Sequence, residues 1–259
     1  MKKILVLLLI LIFLLTIFFI ANKNTTRKIG INFKIFEYQI PIYLKILDFY
    51  DRHYNYKYLV KKINKNLVDE KDIILNTAKW IKNNIQKVPE GVDVVDSHPI
   101  TIVERRLGVS DQFSDLLSVL LVYANIDSFF ITFNFNWHSL TFFKVDNHWS
   151  IIDPYYGVYF TNNERLFASI KDLKNKKWQI SNLESDKIDK LKFKEIFGNK
   201  FNDYDEVTTY YNKVFKYLPS SEDIDNTHVF YRGGRSYNQS PLGRLRFKIY
   251  NIINTKRQD

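Results

Sequence analysis

The strongest hydrophobic pattern of this chain runs from residue 111 to residue 123. Apolar side chains recur there at positions i, i+3, i+4, i+7 and i+8, a spacing that predicts a helix with one core-facing stripe. The repeating residues are Phe113, Leu116, Leu117, Leu120 and Leu121. Ser110 stands directly before this stripe, where a hydroxyl oxygen can cap the start of a helix.

After Asn125 the apolar residues recur about every second residue instead of every 3.6 residues. Three segments rich in Phe, Ile, Thr and Trp follow, namely Ser128–Phe135, Trp137–Val145 and His148–Asp153. Alternating β-branched and aromatic residues predict strands. We therefore expect the helix to be followed by an antiparallel sheet.

The two residues between the last two strands, Asp146-Asn147, fit a tight hairpin turn. With that turn, Leu140 faces Asp153, and residues that face each other or lie two apart share one side of a sheet. His138 and Asp153 are then diagonal neighbours on one face, roughly 7–8 Å apart between backbones. That separation allows an imidazole–carboxylate hydrogen bond.

The two faces of this hairpin differ in polarity. The face of His138 also holds Leu140, Phe142, Trp149 and Ile151. We expect this apolar face to pack on the stripe of the 111–123 helix. The opposite face holds Ser139, Thr141, His148 and Ser150. Its polarity predicts a surface position for His148.

The segments around this region carry weaker patterns. Alternation at 31–35 predicts a short strand, and helical patterns begin at Pro41 and at Tyr54. Residues 72–85 predict a helix that Asp72 caps, and 92–101 predicts a loop. Beyond the hairpin we expect a strand and turn at 155–163 and helices at 164–175 and 204–218. One face of the last helix holds Tyr204, Val207, Tyr211, Val214, Phe215 and Leu218.

The chain begins with an apolar run from Ile4 to Ala21 that only Thr16 interrupts. A bilayer core needs about 20 residues, so this run predicts one transmembrane helix. A cleavable signal peptide is the alternative, but cleavage after Ala21 would leave Phe19 at a site that prefers a small residue. We favour an uncleaved signal-anchor. The short N-terminal tail favours an extracytoplasmic body, although basic residues on the two sides nearly balance.

Composition limits the chemistry of the remaining chain. The 259 residues include 38 basic and 28 acidic side chains and no Cys, which excludes a disulfide framework, a thiolate metal site and a Cys-linked lipid anchor. A basic body beside a membrane would attract anionic head groups, phosphorylated glycans or acidic proteins, whereas abundant Lys is otherwise ordinary solvated surface. The five His show no metal-ligand spacing, so we expect no metal and no cofactor.

Arginines offer two further binding hypotheses. Arg105 and Arg106 precede the 111–123 helix and either bind an anion near its start or are exposed charges. The tail from Tyr231 concentrates Gly and Arg, a weak signal for phosphate binding. No base-stacking motif is present, and we expect no nucleic-acid partner.

The order of three motifs carries a resemblance to a known family. Gly108-Val109-Ser110 opens a helix with Phe113 three residues on, a strand with His138 follows, and a third strand reads Trp149-x-x-x-Asp153-Pro154. This order resembles the transglutaminase-like superfamily, and Asp111-Gln112 resembles one branch of it. The match covers residues 72–153, about a third of the chain.

The resemblance implies an α+β fold with a papain-like core and a Cys-His-Asp triad. Carried over by position, the nucleophile is Ser110, the base His138 and the orienting acid Asp153. The family's Cys is replaced by Ser, so its thiolate, which a helix N-terminus would stabilise, is absent. A Ser nucleophile needs His138 to remove its proton during attack.

Two functions remain open for Ser110. As a helix cap alone it would contribute about 0.5–2 kcal/mol, and the chain would be a non-catalytic binding or assembly component at the cell surface. We favour this interpretation. The alternative is an amide-directed hydrolase or acyltransferase that uses Ser110, His138 and Asp153 as a triad. The resemblance implies a glycan, peptide or envelope protein as partner.

The domain organisation follows from these elements. Residues 1–21 are the predicted anchor, 22–71 an N-terminal segment of strand and helices, and 72–160 the transglutaminase-like core. Residues 161–259 form a helical and basic C-terminal extension.

Overall fold

The computed structural model describes residues 2–96, 98–133, 138–164, 166–184, 190–198, 200–226 and 241. Within these ranges the chain mixes helices and strands, which confirms the predicted combination of α and β structure. The helices are α1 (Lys2–Asn22), α2 (Ile42–Ile63), α3 (Glu70–Asn84), α4 (Pro99–Arg105), α5 (Ser110–Tyr123), α6 (Ile170–Lys174), α7 (Lys190–Phe197), α8 (Tyr204–Phe215) and α9 (Ser221–Asn226). Apart from Pro241, the Gly- and Arg-rich tail from Tyr231 lies outside the described residues.

The strands form three sheets. They are β1 (Asn24–Ile31), β2 (Lys34–Pro41), β3 (Gln86–Lys87), β4 (Val95–Asp96), β5 (Leu107–Gly108), β6 (Ser128–Phe133), β7 (His138–Val145), β8 (His148–Asp153), β9 (Val158–Thr161) and β10 (Gln179–Asn182). The largest sheet has the order β10-β9-β8-β7-β6, and every neighbouring pair in it is antiparallel. A second sheet has the order β2-β1-β4, and β3 pairs with β5 in parallel.

The N-terminal helix α1 exposes its apolar side chains along its length. In the described part of the chain it is the helix with the length and composition to cross a membrane. A signal sequence has the same properties, so the choice between an anchor and a cleaved leader stays a prediction. The chain leaves α1 directly into β1, and the Ile42 N–H at the start of α2 donates to the Lys23 carbonyl at 3.0 Å.

The predicted strand at 31–35 is wrong. Asn32 and Phe33 have φ values of 47° and 65° and form the turn of the β1–β2 hairpin, in which Phe33 is 97% exposed. The Asn32 side chain explains this turn, because it donates to Asp93 Oδ1 at 2.6 Å and accepts from the Val94 N–H at 2.9 Å. Asn also tolerates positive φ better than most residues.

The helices that follow differ from expectation mainly at their ends. The two helices predicted from Pro41 and Tyr54 are one continuous helix, α2. The predicted helix at 72–85 is present as α3, but Asp69 rather than Asp72 caps it, accepting from two N–H groups of the first turn. The predicted loop at 92–101 contains β4 and the first turn of α4, and the predicted helix at 164–175 is reduced to α6.

The central hairpin has the predicted register. Val145 pairs with His148 and Phe142 with Ile151, so the strands β7 and β8 are connected by the two-residue turn Asp146-Asn147. Both turn residues have positive φ, 47° and 61°, which is the geometry of a type I′ turn and suits the twist of an antiparallel pair. The predicted position of His138 and Asp153 on this hairpin is therefore correct.

The packing of the two sheet faces is the reverse of the prediction. Leu140, Phe142, Trp149 and Ile151 do not contact the stripe of α5 but belong to a core with the C-terminal helices α6 to α9. Helix α5 packs on the opposite face, against Phe143, Val145 and Ile152. Ser114 on α5 holds this face by hydrogen bonds to the Ser139 carbonyl and from the Thr141 hydroxyl, of 3.0 and 3.1 Å.

Candidate active site

Ser110 lies at the first position of α5. Val109 precedes it in an extended conformation as the cap residue, and its N–H donates to Gln112 Oε1 at 3.2 Å. Gly108 lets this entry strand pass close to the helix, because an added Cβ there would approach the Phe113 ring to 3.2 Å. The Ser110 hydroxyl accepts from the Ser139 N–H at 3.1 Å instead of capping the helix, so the predicted N-cap role is wrong.

His138 connects Ser110 to Asp153. It begins β7, is 2% exposed, and places Nδ1 3.2 Å from Ser110 Oγ and Nε2 2.6 Å from Asp153 Oδ2. These two partners determine the tautomer of the neutral imidazole. A carboxylate can only accept, so Nε2 carries the hydrogen and donates to Asp153, and Nδ1 accepts a hydrogen bond from the Ser110 hydroxyl. The three side chains proposed from the sequence therefore form one hydrogen-bonded series in the structure.

The Asp153 carboxylate is fully buried at the end of β8. Its Oδ1 accepts from the N–H groups of Tyr155 and Tyr156 at 3.1 Å each, and its Oδ2 accepts from the Tyr211 hydroxyl at 2.5 Å. Burial alone would raise the pKa of Asp153, but the charge that His138 carries when protonated and the hydrogen bonds from His138, Tyr211 and the Tyr156 N–H hold that pKa below its ordinary value.

Tyr211 is the site residue that the sequence analysis missed. The helical pattern placed it on the apolar face of the 204–218 helix, and its ring is indeed fully buried. A buried tyrosine hydroxyl needs a hydrogen-bond partner, so a Tyr on the apolar face of a helix could have indicated a contact with a buried polar group. Burial and the neighbouring Asp153 charge raise the pKa of Tyr211 well above 10, so the hydroxyl stays a donor.

Aromatic rings surround the imidazole of His138. The ring centroids of Tyr156, Tyr210 and Tyr155 lie 5.4, 5.9 and 6.5 Å from that of His138. Tyr155 in turn packs edge-on against Phe113 of α5 at 5.4 Å. These contacts hold the imidazole between α5 and α8 and limit its contact with bulk water.

The start of α5 adds electrostatic character to the site. The first N–H groups of a helix have no partner within that helix and carry a partial positive charge. Ser110 is 28 residues from His138 in sequence but lies in contact with it at this helix end. A negative charge that developed on an atom bonded to Ser110 Oγ would lie beside these N–H groups.

The other candidate residues lie elsewhere or have other partners. His148 is half-buried rather than at the surface, because the segment after β9 lies over its face and places the Phe167 carbonyl 3.2 Å from His148 Nε2. Arg105 donates to the Asp93 carbonyl at 2.6 Å, and Arg106 is exposed. Among the described residues, no group of three or more His, Asp or Glu side chains lies close enough to hold a metal ion.

Comparisons with known proteins give only partial similarity. No family model matches this chain, and no curated protein matches it. A structure from Cytophaga hutchinsonii, provisionally described as a cysteine protease, matches 46% of this chain and 50% of its own with 17% identity and a TM-score of 0.35. A structure from Parabacteroides distasonis, provisionally described as a protease, matches 53% of this chain and 28% of its own with 12% identity and a TM-score of 0.34. The chain thus spans half or less of each of these structures, and at this similarity neither match assigns it a family or an activity.

Proposed function

We propose that this chain is a membrane-anchored acyl-transfer enzyme, a hydrolase or acyltransferase of amides, with a transglutaminase-like core. In this proposal Ser110 is the nucleophile, His138 the base and Asp153 the acid that orients the base. The observation that carries it is the continuous hydrogen-bonded series from Ser110 Oγ through His138 to Asp153 Oδ2, with distances of 3.2 and 2.6 Å. Nucleophile, base and orienting acid in mutual contact are the parts that covalent acyl transfer needs.

The reaction follows from the positions of the protons. Ser110 Oγ attacks the carbonyl carbon of an amide while its proton passes to His138 Nδ1. The C–N bond then breaks, the amine leaves with the proton from His138, and the acyl group stays on Ser110 as an ester. Water or an amine attacks that ester with the same base, which releases the acyl group and restores the hydroxyl.

Three contacts favour an active site over one that has lost its activity. The Ser139 N–H fixes the oxygen of Ser110, so the hydroxyl hydrogen points to His138. The Asp153 charge stabilises the imidazolium that forms during attack, and Tyr211 holds the Asp153 oxygen that faces His138.

A second candidate is the non-catalytic binding or assembly component that the sequence favoured. The specific observation for it is the 3.2 Å between Ser110 Oγ and His138 Nδ1, which is longer than the roughly 2.5–3.0 Å of O–H···O hydrogen bonds. Under this alternative the same pocket binds its ligand without turnover. In both cases we propose a single-pass protein with an extracytoplasmic body whose partner is a cell-surface glycan, peptide or envelope protein.

A fluorophosphonate probe tests the proposal on the full-length protein in detergent. Ser110 Oγ would attack phosphorus and displace fluoride, and peptide mass spectrometry locates the adduct. We expect the adduct on Ser110 in the wild type, none in Ser110→Ala, and labelling at least about 100-fold slower in His138→Ala, because the base is lost. Ser221→Ala, at the start of α9, is the matched control and should label as the wild type does.

Two outcomes would favour the binding component instead. One is a folded wild-type protein, judged by circular dichroism, that forms no adduct at Ser110. The other is labelling that His138→Ala leaves unchanged, which would mean that the hydroxyl reacts without its base.

A further inference from the structure

Lys87 ends β3 next to the strand that leads into Ser110. It pairs in register with Gly108, and the Val88 N–H donates to the Gly108 carbonyl at 3.1 Å. The Lys87 ammonium group lies 4.3 Å from the ring centroid of Tyr155 and 4.8 Å from that of Tyr156. This cation therefore sits over the two rings that follow Asp153.

Lys200 reaches one of these rings, that of Tyr156, from the C-terminal half of the chain. Its ammonium group lies 5.3 Å from the ring centroid of Tyr156 and 5.1 Å from that of Tyr210. Both lysines thus share the Tyr156 ring, which contacts the imidazole of His138. Two cations from distant parts of the sequence converge beside the proposed base.

No carboxylate neutralises this pair in the described part of the chain. None of the ion pairs found there involves Lys87 or Lys200. The acid that acts electrostatically on both is Asp153, which is fully buried and already holds His138 and Tyr211. An aromatic face compensates a cation less well than a carboxylate does.

The electrostatics of the two lysines agree with this geometry. Partial loss of hydration lowers the pKa of Lys87, and the charges of Lys82 and Lys200 lower it further against the opposing effect of Asp153. Loss of hydration also lowers the pKa of Lys200. Both side chains nevertheless remain exposed, so a ligand can reach them. An anion between them would relieve the repulsion of like charges.

We propose that Lys87 and Lys200 form an anion-binding subsite beside His138, which takes a carboxylate or phosphate group carried by the ligand. Its role as part of a substrate site rests on the proposed function above, whereas its capacity to bind an anion does not. The subsite would orient an acidic ligand by two charges, and the aromatic rings of Tyr155 and Tyr156 would form its floor.

Pyridoxal 5′-phosphate is a suitable probe, because it carries a phosphate and an aldehyde. The aldehyde condenses with a lysine amine and releases water, and borohydride reduces the resulting imine to a stable secondary amine. With full-length protein near pH 7, we expect modification concentrated at Lys87 and Lys200 and little at the exposed Lys174. Pyridoxal, which lacks the phosphate, should label these two lysines more slowly than pyridoxal 5′-phosphate does, and inorganic phosphate should compete only with the latter.

Substitutions distinguish a shared subsite from two lysines that react independently. Lys87→Gln should reduce modification of Lys200 about tenfold or more, because the bound phosphate loses one charged donor, and Lys200→Gln should do the same at Lys87. Lys87→Arg retains the charge and should preserve labelling of Lys200, and Lys174→Gln is the neutral control. Two competitors then indicate the size of the ligand. If glucose 6-phosphate inhibits labelling more strongly than inorganic phosphate does, the subsite binds the anionic group of a larger ligand. If the two inhibit equally, it recognises the phosphate group alone.

The proposal is overturned if the two lysines label no faster than Lys174, or if phosphate leaves their labelling unchanged. Ser110→Ala should keep the full labelling pattern. The subsite and the proposed acyl chemistry can therefore fail separately.

Discussion

The Tyr211 hydroxyl donates a hydrogen bond of 2.5 Å to Asp153 Oδ2, the oxygen that also accepts from His138 Nε2. The two residues are 58 positions apart in the sequence, and Tyr211 comes from α8, in the segment assigned to a C-terminal extension. The site therefore depends on the packing of α8 on the central sheet. The same packing buries Val207, Val214 and Phe215 beside it.

Tyr211→Phe should destabilise the protein without changing its fold. The ring stays, but a buried carboxylate loses a hydroxyl donor, and hydrogen bonds to charged groups contribute about 1.5–3 kcal/mol. We expect the free energy of unfolding to fall by that amount in denaturant titrations. Tyr58→Phe, at a tyrosine that is 67% exposed, should change it by less than about 0.5 kcal/mol. Equal effects of the two substitutions would mean that the bond to Asp153 contributes nothing.

Asp153→Asn should remove a pH-dependent part of the stability. The folded-state pKa of Asp153 is lowered, so its contribution is present above the unfolded-state pKa of about 3.9 and is lost as pH falls through the folded-state pKa. The difference in unfolding free energy between wild type and Asp153→Asn should be largest above about pH 5 and shrink below about pH 4. Unfolding titrations across this range measure it, with the exposed Asp51→Asn as control. A difference that stays constant down to pH 3 would contradict the lowered pKa.

Ser110→Cys should create a thiol of unusual reactivity. The chain contains no Cys, so this variant has one thiol and no background. The helix start and His138 both favour the thiolate, which lowers the thiol pKa and increases alkylation by iodoacetamide at pH 6 to 7. We expect faster alkylation than in Ser221→Cys. Adding His138→Ala to Ser110→Cys should lower the alkylation rate to that of Ser221→Cys. An alkylation rate that is unchanged by His138→Ala would show that the imidazole does not act on this position.

The membrane arrangement is a separate prediction. A C-terminal reporter that is active only outside the cytoplasm should be active when fused to the full chain, because α1 contains an apolar run that can span a membrane and the short N-terminal tail favours an outward body. The intact mass of the isolated protein should include residues 1–21 if α1 is an uncleaved anchor. A mature form that begins near Asn22 would replace the anchor with a signal peptide, and activity confined to a cytoplasmic reporter would reverse the orientation.

Local periodicity determined much of this site from the sequence. The stripe of Phe113 to Leu121 predicted α5 almost to the residue, because five apolar positions on one helix face admit few other structures. The turn Asp146-Asn147 fixed the register of β7 and β8, and through it the contact between His138 and Asp153. These features depend on residues that are close together in the chain.

Tertiary structure decided the remaining features. Both faces of the central sheet are covered by helices, so the polarity of Ser139 and Thr141 did not indicate solvent but the hydrogen bonds that pack this face on Ser114 of α5. Tyr211 and Lys200 reach the site from helices and loops far along the chain, and no periodic pattern marks such contacts. A local pattern reports the polarity of each side of an element, whereas what covers that side depends on how distant segments pack together.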